Sequence, residues 1–599
     1  MVKKSAHSRP EGGTHQRRDQ RRNAWTGFAG GLAVIIAVNI LGSFVYTRLD
    51  LTAEKRYTLS GATRDILQGL DDMVYIRVYL EGEFPSGFKR LSRSTQETLD
   101  EFRAWTGNIE YEFINPSASS DARERNDIYR QLVEKGLEPT TLQVKQNDGS
   151  EQRVIFPGAI AAYKGREVPV QLLRSQTGMS PEQTLNGSIQ DLEYNLANAI
   201  RQLTTPERPR LAVLEGHGEL EDVWLWDALS ALNESYTVER LALDEKVYSL
   251  TERDYNQDST GVIFRNRYAA VVVAKPDSAF SERDKFILDQ YIMRGGKVLW
   301  LLDRTTADMD SLQTRPETVG IAQELNLDDM LFRYGARINP DLLMDIRSMP
   351  IPVKTGEIGG QPQFEFYPWF FMPLVGPASG HPIVANLNMV KTEFVSSIDT
   401  IDLAGIRKLP LLQTSKYTRQ VPTPAYVSLE ILKEEPKDEM FQAGGRTVAL
   451  LLEGQFPSLF ANRIPPEIAN NPEMGFLELS EPTGMIVVAD GDVITNQVSA
   501  GTRQPLPLGY DQYTGETFGN RDFLLNAVNY LCDGSGLIDI RAREIKMRLL
   551  DRTRANSERL QWQLINTLLP VVLVLLFGIG GAWWRRRRYA RVPRQSSRS

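Results

Sequence analysis

Cysteine is nearly absent from these 599 residues. Cys532 stands alone, which excludes an intrachain disulfide and any C-x-x-C redox or metal site. Histidine is almost as scarce. His7 and His15 lie near the start, leaving His217 and His381 for the main body, so a histidine-rich zinc site is not expected. No G-x-x-x-x-G-K-[ST] run occurs, because Gly295-Gly296-Lys297 continues into Val298. ATP hydrolysis through a phosphate loop is therefore not expected. No G-x-S-x-G elbow occurs either. Nothing in the residues calls for a cofactor or a metal.

What is present is uneven charge. Residues 1–22 carry a net +5 and residues 585–599 a net +7; subtracting both from the overall −7 leaves −19 on the middle. An acidic body argues against non-specific nucleic-acid binding. Two uncharged apolar stretches lie inside the basic tails, Trp25–Tyr46 and Leu564–Trp584. Each matches the run of about 20 apolar residues that crosses a bilayer. A buried soluble helix or, for the first, a cleaved signal peptide would share this composition, but no clear A-x-A site follows it. Arg585–Arg588 stop the second span abruptly, and Trp562, Trp583 and Trp584 suit interfaces. Basic flanks place both tails, 1–24 and 585–599, in the cytoplasm. The body then lies outside the inner membrane, in the periplasm of a two-membrane cell.

Residues 47–70 read as a juxtamembrane segment and helix, with Ser60 as its N-cap. Over 71–204 the pattern runs strand, helix, strand, short helix, paired strands with a turn at Asn147-Asp148-Gly149, and one closing helix over Pro181–Leu203. That order resembles a thioredoxin-like fold, without its cysteines. After the proline-broken linker 204–210, the 205–539 region alternates continuous apolar strands with helices, the mark of a parallel sheet. Ser281 is placed to cap one helix, and Gly295-Gly296 to end it. Residues 345–480 are rich in Pro and Gly and read as an irregular insertion with extra strands. A charged juxtamembrane helix is expected over 540–563.

Three stretches could carry contacts. Gly216-His217-Gly218-Glu219 follows a strand, where ligands of open α/β sheets bind. The alternative makes the glycines turn formers and Glu219 a first-turn acid favoured by the helix dipole. Asp303 ends a strand where related hydrolytic folds keep a nucleophile, yet neither cysteine nor a paired base stands beside it in the sequence. Phe364–Pro373 packs six aromatics into ten residues, Tyr367, Trp369 and Phe370 among them. It is either a partner or sugar site or part of the core. The acids of Ala489–Asp492 are read as a solvated turn. Near the membrane, Lys55, Arg56, Tyr57 and Ser60 are candidates for coupling the first span to the body.

Together LTAEKRYTLSGAT, GHGE, SERDKFILDQYIMRGGKVLWLLD and FLLNAVNYLCDGSGL resemble the GldG-like auxiliary proteins of ABC transporters linked to gliding motility in Bacteroidetes. The resemblance runs from about Leu51 to the end. It implies a glutamine-amidotransferase-like α/β domain without catalytic residues, similar to one in an intraflagellar-transport protein. It implies a multi-span permease, GldF-like, and a cytoplasmic ATPase, GldA-like, as partners, and a link to type IX secretion. The expectation is a non-enzymatic inner-membrane accessory subunit. A membrane-anchored glycan- or peptidoglycan-binding module and an unrecognised hydrolase are the alternatives.

Overall fold

The computed structural model describes residues 13–44, 58–146, 149–173, 181–255, 262–358, 361–433, 436–499, 501–534, 536–542 and 557–589. Lys55, Arg56 and Tyr57 lie outside them. The described residues form a mixed α/β body with several sheets, and a distinct C-terminal unit begins at Glu544.

Helix α1 (Gly13–Phe44) contains an apolar stretch, Trp25–Ile40, shorter than a full membrane crossing. Helix α2 (Gly61–Gln68) is capped by Ser60, whose Oγ accepts the Thr63 N–H at 3.0 Å. This satisfies a first-turn donor that the helix itself leaves open. Strand β1 (Val74–Val78) alternates buried Val74, Ile76 and Val78 with half-buried neighbours, the period-two pattern of a one-sided strand. Helix α3 (Ser86–Trp105) buries Phe88, Leu91, Thr95, Leu99 and Phe102 as one stripe. Strand β2 (Ile109–Phe113) returns parallel to β1, and helix α4 (Ala122–Glu134) follows. Strands β3 (Gly158–Tyr163) and β4 (Arg166–Gln171) complete a sheet of order β2-β1-β3-β4.

The single helix expected over Pro181–Leu203 is two. Helix α5 (Pro181–Gln190) and helix α6 (Leu192–Thr204) meet at Asp191, a buried residue. Apolar periodicity does not register such a joint, because both halves keep an inward face.

The second sheet is larger. Its parallel strands are β5 (Arg210–Glu215), β6 (Thr237–Ala242), β7 (Ala270–Ala274), β8 (Val298–Leu301) and, far along the chain, a fifth over Thr483–Val488. Helix α7 (Trp226–Asn233) joins β5 to β6, and helix α8 (Glu282–Met293) joins β7 to β8. Ser281 caps α8 through the Asp284 N–H, as its sequence suggests. Alternate residues of each strand enter opposite cores. Leu211, Val213, Val272 and Leu299 face one, with Phe523 and Leu524 of helix α9 (Asn520–Cys532). Ala212, Leu214, Val273 and Trp300 face the other, with Ile287 and Tyr291 of α8. Burial on both faces explains why these strands read as unbroken apolar runs.

The region 345–480 is more regular than its composition suggests. Strands β9 (Ser348–Ile358) and β10 (Gln361–Pro377) form a long antiparallel hairpin. Strands β11 (Ile406–Gln413) and β12 (Thr447–Gly454) follow, and the late parallel strand, β13, is Thr483–Val488. The full order is β9-β10-β11-β12-β13-β8-β7-β5-β6, with the first four strands antiparallel to their neighbours.

At the other end, Leu537–Ala542 forms a short 3₁₀ turn where the start of a charged helix is expected; most of the remainder of 540–563 lies outside the described residues until Ser557. Helix α10 (Arg559–Tyr589) is the one described helix long and apolar enough to cross a membrane.

Candidate functional site

The carboxyl edge of the parallel strands gathers the motifs. From β5 the chain adds β6 on one side and β7 on the other, so strand order reverses between the parallel neighbours β5 and β7, where open sheets bind ligands. Gly216 (φ +109°) and Gly218 (φ +73°) follow β5 in the left-handed region that favours glycine. A Cβ on Gly218 would lie 1.6 Å from Asp277 Oδ1. The turn aims His217 inward. Its N–H donates to Glu219 Oε2 at 2.6 Å, and its ring nitrogens lie 3.3 Å from Glu219 Oε1 and 3.2 Å from Asp284 Oδ2. The ring stacks on Phe280 at 3.8 Å. Burial by itself lowers the His217 pKa, but the two carboxylates outweigh it and hold it above the usual value. Burial raises Glu219, and its bonds to His217 more than compensate, leaving it low. The motif thus pins the turn after β5 to the start of α8.

Asp303, after β8, belongs to a second cluster. One carboxylate oxygen each from Asp303 and from Asp490 and Asp492, after β13, lie within 4.8 Å of one another. A cation of the chain already sits there: Lys275 Nζ, after β7, is 2.5 Å from Asp492 Oδ1 and 3.3 Å from Asp303 Oδ2. Backbone N–H groups complete the cluster, Gly491 donating to Asp303 at 2.6 Å and Glu393 to Asp490 at 2.8 Å. Burial drives Asp303 up to about 6, with repulsion from Asp492 adding to it. Asp490, fully buried, is pushed well above the carboxylate range by burial and by both other aspartates. Lys275, lowered by burial, is raised overall by Asp492 and Asp303. The solvated turn expected at Ala489–Asp492 is instead a buried charge cluster.

The aromatic run divides along the strand, its first half exposed and its second half buried on both faces. Trp369 and Phe370 are 0% and 4% exposed and belong to a core with Phe371 and Met372. They are packing residues, out of reach of a ligand. Phe364 and Phe366 are exposed, and Tyr367 donates its hydroxyl to Glu365 at 2.8 Å.

The least expected arrangement is at the start of α6. Glu193 Oε1 accepts the Ser60 N–H at 2.7 Å and the Thr63 hydroxyl at 2.8 Å, fixing the segment that follows α1 in sequence. From the other end of the body, Leu537, Ile538 and Ile540 enter the same core as α2 and α6. Arg541, with only 1% of its side chain exposed, lies 3.4 Å from Asp191 Oδ2, donates to Asn526 Oδ1 and Ala385 O, and packs over the Tyr194 ring. Arg201, further along α6, reaches Asp533 at 4.0 Å. Of these residues only Ser60 is a sequence candidate. Glu193, Asp191 and Arg541 carry no motif. The one available signal is Leu537-Ile538-Asp539-Ile540, an apolar segment too short to be a strand of its own and too apolar for a tether.

The fold is that of a mixed α/β protein with a long apolar helix near its C-terminal end, and it contains an auxiliary domain of ABC transport. The chain belongs to the family described as an ABC-type uncharacterized transport system, whose sequence model matches residues 208–527. A second model, a domain of unknown function (DUF7088), matches residues 53–162. An uncharacterized protein of Borreliella burgdorferi is 19% identical over 559 residues, covering 92% of this chain and 95% of that one. Among solved structures, the mmIFT52 N-terminal domain aligns over 54% of this chain and 98% of its own at 12% identity, with a TM-score of 0.30. So low a score carries no argument.

Proposed function

We propose that this ABC-transport auxiliary protein is a non-catalytic, membrane-anchored subunit that links a permease and an ATPase to a partner or substrate outside the inner membrane. The observation that carries the reading is the convergence of 58–63 and 537–541 on the start of α6. One segment follows α1 and the other precedes α10. If both apolar helices span the bilayer with basic flanks inside, a shift between them reaches the body through one helix. The permease would be GldF-like and the ATPase GldA-like. Placement with gliding motility and type IX secretion rests on the LTAEKRYTLSGAT and MRGGKVLWLLD segments alone.

Two features support a non-catalytic role. His217, Asp303 and Lys275 are each engaged by neighbouring side chains. Burial pushes the Cys532 thiol up to about 12, far from a usable thiolate. The parallel strands follow the β6-β5-β7-β8-β13 order of doubly wound sheets. That order favours the amidotransferase-like reading of 205–539, and the parallel β1–β2 pair suits the thioredoxin-like reading of 71–204.

Co-purification tests the role. Tagged full-length chain extracted from its native membranes in gentle detergent should bring down a multi-span permease and an ATPase. Recovery of the chain without either would refute the subunit assignment.

A further inference from the structure

An open cleft of about 600 Å³ lies where β10 and β11 end, on the far side of β12 from the parallel strands. That volume suits a small ligand. Arg347, Lys416 and Tyr417 line it, with Ile346, Pro377 and Met389 as apolar wall. Its described lining contains no carboxylate. Neither Arg347 nor Lys416 forms an ion pair with another described residue, in a chain with more Asp and Glu than Lys and Arg.

The two cation-bearing turns are built rather than incidental. Asp345, fully buried, accepts the Arg347 N–H, the Ser415 N–H and the Ser415 hydroxyl at 2.7 Å each, and the Thr418 hydroxyl at 2.9 Å. One carboxylate therefore staples the Arg347 turn to the Lys416 turn. The Ile346 N–H also reaches Tyr417 O at 3.3 Å, and the Leu374 N–H donates to Arg347 O at 2.9 Å. Lys416 Nζ lies 4.7 Å from the centre of the Tyr417 ring, which holds the ammonium at the wall. Beside them, the Arg446 N–H donates to Thr414 Oγ1 at 2.9 Å, and Arg446 Nε is buried without a hydrogen-bond partner. Two cations carried on turns that one carboxylate joins, beside an apolar wall and exposed amide and hydroxyl groups, match a ring that bears an oxyanion.

We propose that this cleft binds an anionic saccharide, its carboxylate or phosphate held by Arg347 and Lys416 and its ring against Met389 and Pro377. The cleft shares no lining residue with the His217 and Asp303 clusters.

Full-length chain in nanodiscs can be titrated calorimetrically with glucuronate, glucose 6-phosphate, glucose and inorganic phosphate. At least one charged sugar should bind saturably, about tenfold more tightly than glucose, and more weakly as salt rises. Which charged sugar binds better distinguishes carboxylate from phosphate. The double substitution Arg347→Ala/Lys416→Ala should weaken it about tenfold or more with the melting temperature held. Lys416→Glu alone should weaken it too, which guards against a folding defect in the double variant. Equal binding of glucose, equal binding of inorganic phosphate, indifference to the substitutions, or no saturable binding would each overturn the proposal.

Discussion

The carboxyl edge of the large sheet and the start of α6 both bury charge, and they use it differently. At the sheet edge, Lys275, Asp303, Asp490 and Asp492 come from the ends of three adjacent strands. Their attraction closes loops of one sheet on each other. At α6, Glu193 binds Ser60, 133 residues away, and Asp191 meets Arg541, 350 residues away. These contacts join the two ends of the body to one helix. The sheet-edge charges thus hold neighbouring loops together, and the start of α6 gathers segments far apart in the chain. Cost points the same way. Burying a charge is expensive unless it is paired, so a buried arginine at a chain's exit marks a place that the fold keeps fixed.

The comparison can be broken at either end. Lys275→Ala carries the largest expected effect, since it leaves three neighbouring carboxylates without their cation. Loss of about 3–5 kcal/mol at pH 7 is expected in denaturant unfolding. Asp303 gives the pH dependence. Burial and Asp492 hold its folded pKa near 6, above its unfolded value, so its proton is bound more tightly in the folded state. Its contribution is complete below about pH 4 and is lost as pH rises through about 6. The variant should therefore recover part of its stability between pH 7 and pH 5. No recovery would mean that the carboxylates are not what Lys275 balances.

Arg541→Ala comes next, with a loss of about 3 kcal/mol, because Asp191 and Asn526 lose a buried donor. Hydrogen exchange at 537–542 should rise beyond the global change, whereas Lys275→Ala should raise it only in step with global stability. A similar pattern in both variants would erase the distinction between the two regions. The smallest effect belongs to His217→Gln. His217 has a raised folded pKa, so its ion pairs contribute fully below the unfolded value and fade as pH rises through the folded one. The variant should lose about 1 kcal/mol at pH 6 and less at pH 8, by the worth of a charge-assisted bond. A larger loss at pH 8 would show that His217 acts neutral.

What the sequence makes legible follows from the same physics. RLAVLE, AVVVA and VLWL declare themselves because both faces of those strands are buried. Ser60 and Ser281 declare themselves because a cap is a local bond. The β9–β10 hairpin does not. Pro350, Pro352, Pro362 and Pro368 argue against strands, yet β9 lies at the sheet edge and β10 pairs with strands other than β9 only from Leu374 on, so missing N–H groups are tolerated in both. Trp369 and Phe370 are ambiguous because an aromatic pair has the same composition in a core as on a surface. The α6 junction is invisible for a different reason. Its partners are hundreds of residues apart, and a single acid or arginine has no period to reveal it.

The central claim is that the two segments nearest the apolar helices share one anchor. A double-mutant cycle on the full-length chain tests it most directly, with Glu193→Gln on the Ser60–Thr63 side and Arg541→Lys on the other. Shared anchoring through the start of α6 predicts a coupling above about 0.5 kcal/mol in denaturant unfolding. Additivity within about 0.3 kcal/mol would show two independent attachments and contradict the account.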